Sequence, residues 1–201
     1  FIRIYNSTKN GEPIDGNLIK PEDFVYSPKD VRSTFLSLVT KTYPHGHEDE
    51  VLQFLPKLEK DTVGNYYKII GDPKQETMFT SHLDTADRAQ KITKLYSMIE
   101  KEEEYIVTDG NSILGSDDKS GVAVMLYMMA HNVPGLYYFF LGEEVGCIGS
   151  KKVAEVHKVN KIEGINKVVS FDRRATSSII TFQSSKRSCS DKFGEALAKA
   201  L

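Results

Sequence analysis

Residues 78–89, MFTSHLDTADRA, carry a histidine and an aspartate two positions apart at the end of an apolar, β-branched run. Alternate side chains of a strand share a face, so His82 and Asp84 project together while Leu83 points the other way. Such a pair can cooperate on one ligand. Three more polar clusters follow: GSDDKSG (115–121) with Asp117 and Asp118, GEEVGCIGS (142–150) with Glu143 and Glu144, and SFD ending at Asp172. Each falls at a loop or strand end, where open α/β sheets form ligand sites. The six carboxylates, gathered at one edge, would raise one another's pKa unless a cation neutralised them. One imidazole with several carboxylates, and no cysteine required, suits a borderline or hard divalent ion. Zn²⁺ comes first, with Mn²⁺ or Co²⁺ as alternatives, and the surplus of acids allows one carboxylate to bridge two ions.

Taken singly, each cluster has an ordinary structural explanation. A His-x-Asp pair can be a hydrogen-bonded couple, two acids before a helix can be an N-cap and a first-turn acid, and Asp172 can end a strand in a turn. The specificity lies in their succession along one chain.

Elements able to position these clusters are legible. Strands are expected at 66–70, 76–84, 105–109, 136–142, 166–172 and 178–183, from short β-branched and aromatic runs. SPKDVRSTFLSLVTKT predicts a helix with Ser27 as N-cap, Pro28 at the first position and Val31, Phe35, Leu36 and Val39 on one stripe. HEDEVLQFLPKLEK predicts another, ended or kinked at Pro56. DKSGVAVMLYMMAHN is apolar enough for a buried helix, and GSKKVAEVHK predicts a shorter one. KEEEY at 101–105 reads as a solvated turn. Strands alternating with helices imply an α/β fold: a mixed, mostly parallel twisted sheet with helices on both faces, in three layers. Residues 1–26 read as an irregular arm and 27–201 as the domain that carries the four clusters.

The 201 residues suit one α/β core. With 26 basic and 28 acidic side chains and a net charge of −2, there is no electrostatic footprint for nucleic acid or an anionic membrane. No apolar run reaches the ~20 residues of a membrane helix, and the first residues lack a signal-peptide pattern. Two cysteines, Cys147 and Cys189, make no disulfide framework and point to a reducing compartment, the cytoplasm.

In its order SHLDT, GSDDKSG, GEEVGCIGS, SFD, the chain over about 30–201 resembles the co-catalytic zinc exopeptidases, the clan of peptidase T, the aminoacylase-type deacylases and the leucyl aminopeptidases. The resemblance implies that His82 and Asp172 ligate the first of two zinc ions, that Asp117 bridges both, and that Glu144 ligates the second. It implies that Asp84 orients His82 and raises its basicity, and that Glu143 is the general base, taking a proton from the attacking water and returning it to the leaving amine. It also implies a cis peptide between Asp117 and Asp118. The expected activity is hydrolysis of small peptides by an aminopeptidase or di/tripeptidase.

The chain departs from the clan pattern in one ligand. The resemblance calls for a histidine well downstream of Asp172, whereas the five histidines are His45, His47, His82, His131 and His157. The catalytic domain is therefore expected to be incomplete at its C-terminal side, or to lack a ligand of the second ion. The lid domain of the peptidase T branch is expected to be absent, since RRATSSIITFQ reads on as turn and strand. Arg173 and Arg174 are either anchors for a substrate carboxylate or surface residues, Cys147 is expected to be a small packing residue, and His45 and His47 to have a structural or surface role. Competing readings are a catalytically silent homologue used as a binding module, an N-acyl amino acid deacylase or carboxypeptidase of the same clan, and a Mg²⁺-dependent phosphotransfer domain. The last leaves His82 and the two glutamates without roles.

Overall fold

The computed structural model describes residues 3–4, 16–72, 76–159, 162, 164–174 and 178–200. Along the chain lie β1 (Arg3–Ile4), β2 (Asn17–Ile19), α1 (Val31–Leu38), β3 (Glu59–Lys60), β4 (Tyr66–Ile70), β5 (Thr77–His82), β6 (Leu95–Glu100) and β7 (Glu103–Thr108). They are followed by α2 (Ser116–Ala130), β8 (Gly135–Phe140), α3 (Ile148–Val159), β9 (Lys167–Ser170), the short ribbon β10 (Phe182–Gln183) and β11 (Lys186–Arg187), and α4 (Asp191–Ala200).

The central sheet has the order β3-β4-β8-β5-β9. β8, β5 and β9 run parallel, whereas β4 pairs antiparallel with β8 on one side and with β3 on the other. Parallel pairing is thus confined to one half of a mixed sheet, and that half matters, because three neighbouring carboxyl ends then open onto one edge. Alternation along β8 sorts its aromatic run between two layers. Tyr137 and Phe139 join Leu36, Leu38, Val122 and Leu126 in the core under α1 and α2, while Leu136 and Tyr138 pack with Met78 and with Val153 of α3 on the other face. Helices cover both faces, and fully buried side chains of this size each contribute ~1.5–3 kcal/mol.

Six sequence expectations are corrected. The segment 105–109 does not join the central sheet; β7 belongs to a second sheet of order β1-β7-β6-β2. Two strands of that sheet, β1 and β2, come from the stretch expected to be an irregular arm, of which residues 5–15 lie outside the described residues. KEEEY is a hairpin as well as a turn. Lys101 and Glu102 turn with φ of 52° and 66°, and Glu103 already pairs with Glu100. α1 starts three residues later than expected, because Asp30 caps it by accepting from the Ser33 N–H at 3.1 Å. Residues 48–54 form a 3₁₀ helix that ends before Pro56, and of 178–183 only Phe182–Gln183 is strand. Among the described residues no helix is long and apolar enough to cross a membrane.

Candidate metal and catalytic site

His82 ends β5 with 2% of its side chain exposed. Asp84, wholly buried, lies 3.2 Å from His82 Nδ1 and accepts the backbone N–H groups of Glu143 and Glu144, one on each oxygen, both at 2.9 Å. One carboxylate therefore sets the imidazole and the β8–α3 loop in register. A third tie at the same edge is the Leu83 N–H, which donates to the Phe140 carbonyl at 2.9 Å.

The acidic pair enters from α2 rather than from a strand of the central sheet. Gly115 takes a left-handed φ of 69°, the Asp117–Asp118 peptide is cis, as the resemblance implied, and helical geometry resumes only after Asp118. The two side chains diverge. Asp117, 70% exposed, reaches His82 Nε2 at 3.0 Å. Asp118 is buried and accepts from Ser81 Oγ at 2.5 Å, the Gly121 N–H at 3.2 Å and the His82 N–H at 3.3 Å. Burial pushes its carboxyl up to about 8 against the pull of Ser81. Beneath it Lys119 is fully buried, donates to the Leu83 carbonyl at 2.5 Å and lies over the Tyr43 ring. Burial brings its ammonium down to about 8, opposed by Asp118, Asp84 and Glu48.

Both nitrogens of His82 face carboxylates, which accept only, so without a metal the ring is an imidazolium. Burial opposes that charge, but Asp117 and Asp84 override it and push the ring up to about 10. Asp117 is held below the usual carboxylate range, chiefly by its bond to His82. Asp172 and Glu144 are held above it, first by burial and then by the charge of Asp117. This edge carries more negative charge than one proton on His82 balances.

Donor atoms of His82, Glu143 and Glu144 lie within 4.8 Å of one another, as do those of His82, Asp117 and Asp172. His82 belongs to both sets, so the residues fit a divalent cation center with acidic ligands on either side of one imidazole. Cys147, expected to pack, instead donates its thiol to Glu143 Oε1 at 3.2 Å. Arg173 is exposed and donates to Ser178 Oγ at 3.3 Å. Sequence reasoning passed over Ser81 and Lys119 as working parts and counted Asp118 only as one of six acids at the edge. Ser81 lies on the opposite strand phase from His82, and a lysine after two acids reads as an ordinary first-turn residue.

The fold has known counterparts. No family model matches the chain. The uncharacterised protein YqjE of Bacillus subtilis is 32% identical over 142 residues, 58% of this chain and 37% of that protein. A tripeptidase from Staphylococcus aureus superimposes with a TM-score of 0.53 at 24% identity, over 75% of this chain and 44% of that one. Those two chains share a fold. The TET1 peptidase of Pyrococcus horikoshii aligns with a TM-score of 0.39 at 13% identity, over 62% of this chain and 65% of its own. The chain spans less than half the length of YqjE and of the tripeptidase.

Proposed function

We propose that this chain carries the catalytic face of a zinc-dependent exopeptidase that releases residues from small peptides. The observation that carries the reading is one buried imidazole shared by two acidic donor sets, gathered from the carboxyl ends of β5, β8 and β9 and from the start of α2. The tripeptidase fold supports it. His82, Asp117 and Asp172 would hold one Zn²⁺, and Glu144 with the bridging Asp117 a second; Mn²⁺ or Co²⁺ suit the same donors. When bound, such ions polarise a scissile carbonyl and make a neighbouring water acidic.

The protein's own part is proton handling and orientation. Glu143 stands beside this cluster with its backbone fixed on Asp84 and one oxygen engaged by Cys147. It takes the proton of the attacking water and gives it to the departing amine. Asp84 keeps the His82 ring turned toward Asp117 by engaging its other nitrogen, the usual service of a carboxylate behind a ligating histidine. The division between the two glutamates is the test. Glu143→Gln should keep its metal, read by plasma mass spectrometry, while turnover of an unblocked tripeptide falls by a factor of ~10² or more, the scale of a lost general base. Glu144→Gln should lose metal. Normal turnover in Glu143→Gln would refute the assignment. The two free thiols fit a reducing compartment, for which the cytoplasm is our reading.

A further inference from the structure

We infer that His45, a residue outside all four motifs, is a substrate-binding residue that accepts a hydrogen bond from the free N-terminal amine of a bound peptide. The inference rests on the peptidase reading and deepens it, because it names unblocked peptides rather than N-acylated ones as the substrate class.

His45 and His47 sit two apart in YPHGHEDE, and the structure treats them differently. His47 pairs with Glu50, a half-exposed carboxylate that also serves Lys41 and Gln90, which is an ordinary surface network. His45 pairs through Nδ1, at 2.6 Å, with Glu48, whose side chain is only 5% exposed. The other Glu48 oxygen accepts the Gly46 N–H at 2.5 Å, so this buried carboxylate is committed to the orientation of one turn and one ring. A buried carboxylate is costly unless its oxygens are engaged, and here they are engaged in holding a side chain that is itself 43% exposed.

The ring is held beside the proposed catalytic edge. It packs on Gly142, the residue before Glu143, so closely that a Cβ at that position would lie 3.1 Å from both Cε1 and Nδ1 of His45. The segment carrying it is stitched to the residue after Asp84: the Tyr43 N–H donates to Thr85 Oγ1 at 2.8 Å and the Thr85 N–H to the Tyr43 carbonyl at 2.9 Å. His45 is thereby fixed to the two segments that carry Asp84 and Glu143. With a carboxylate accepting at Nδ1, that nitrogen carries the hydrogen, and in this tautomer Nε2 offers its lone pair as an acceptor. Nε2 has no partner among the described residues. An acceptor on a ring packed against Gly142, the neighbour of Glu143, suits an ammonium donor, and the α-amine of an unblocked peptide is the donor such a substrate brings.

The test uses the full-length, zinc-loaded protein with an unblocked tripeptide and the same tripeptide lacking its N-terminal amine. His45→Ala should raise KM for the unblocked peptide about tenfold or more, the scale of one hydrogen bond to a charged group, with kcat nearly unchanged. It should leave KM for the amine-free peptide where it was, and His45→Gln, which restores an acceptor, should recover part of the loss. A second readout does not need turnover: in the Glu143→Gln background the His45 Nε2 resonance should shift when the unblocked peptide is added and stay still for the amine-free one. Unchanged KM in His45→Ala, or an equal rise for both peptides, would overturn the inference and leave the peptidase reading standing. If the wild type neither cleaves nor binds the tripeptide, both fall together.

Discussion

At the scale of single residues, His82 concentrates the chemistry of this site, because its two nitrogens are bonded to carboxylates with different duties. Asp84 behind it is buried and fixed, while Asp117 in front is exposed and free to exchange the His82 N–H for a cation. The imidazole is held at about 10 against an ordinary 6.5. Any metal ligated through Nε2 must therefore displace a proton at neutral pH. Zinc binding should release about one proton from His82. Apparent affinity should climb as pH rises toward 10. The measurement is the calorimetric enthalpy of zinc binding in buffers of different ionisation enthalpy; no dependence on buffer would show that the ring is already neutral. The metal-free protein should show the complementary trend in stability. A raised imidazole stabilises the fold fully below about 6.5, and that contribution is lost as pH climbs through 10.

Among the elements, α2 is the one whose start decides the site. Asp118 can fold back into the first turn and seat the His82 and Gly121 N–H groups only because position 121 has no side chain. A Cβ there would lie 2.7 Å from the Phe171 carbonyl and 2.8 Å from Asp118 Oδ2, and closer still to Oδ1. Two effects oppose each other in Gly121→Ala. Alanine gains about 1 kcal/mol in helix propensity, whereas overpacking costs about 1–3 kcal/mol. The obstacles here are a backbone carbonyl and a buried carboxylate rather than a flexible chain end, so the clash should win. A lower urea midpoint and weaker zinc binding are expected, and a midpoint at or above wild type would mean that Asp118 moves aside without cost.

The same elements explain what could be read in advance. β4, β5 and β9 fall inside the strands expected and β8 overlaps the 136–142 expected; the runs of β4, β5 and β8 are buried or half-buried and announce themselves by composition, whereas β9 is mostly exposed and shows through its Val168–Val169 pair. β6, LYSMIE, escaped notice because its mixed run lies half-exposed in a second sheet, and its turn uses Lys101 and Glu102 at positive φ where glycine or asparagine would signal a hairpin. His82, Asp84, Asp117, Glu143, Glu144 and Asp172 were legible because motif order carries them. Glu48 and His45 were not, since their pairing depends on a turn whose position against Gly142 no local pattern encodes.

For the whole molecule, the candidate ligands come from four parts of the chain well separated in sequence: the end of β5, the start of α2, the β8–α3 loop and the residue after β9. A cation bound by all four would cross-link them in the folded state and find no comparable site in the unfolded chain. Its binding energy then appears as folding stability. At a free zinc concentration about 100 times the dissociation constant the gain is about 2.7 kcal/mol, which for a chain of this size raises the melting temperature by roughly 5–10 °C. Zinc should do this and magnesium should not at equal concentration, because the shared imidazole favours the softer ion. His82→Ala should abolish the zinc shift, since it removes the donor common to both acidic sets. Equal shifts with zinc in wild type and His82→Ala, followed by differential scanning fluorimetry over a zinc titration, would mean that the ion binds somewhere other than this sheet edge.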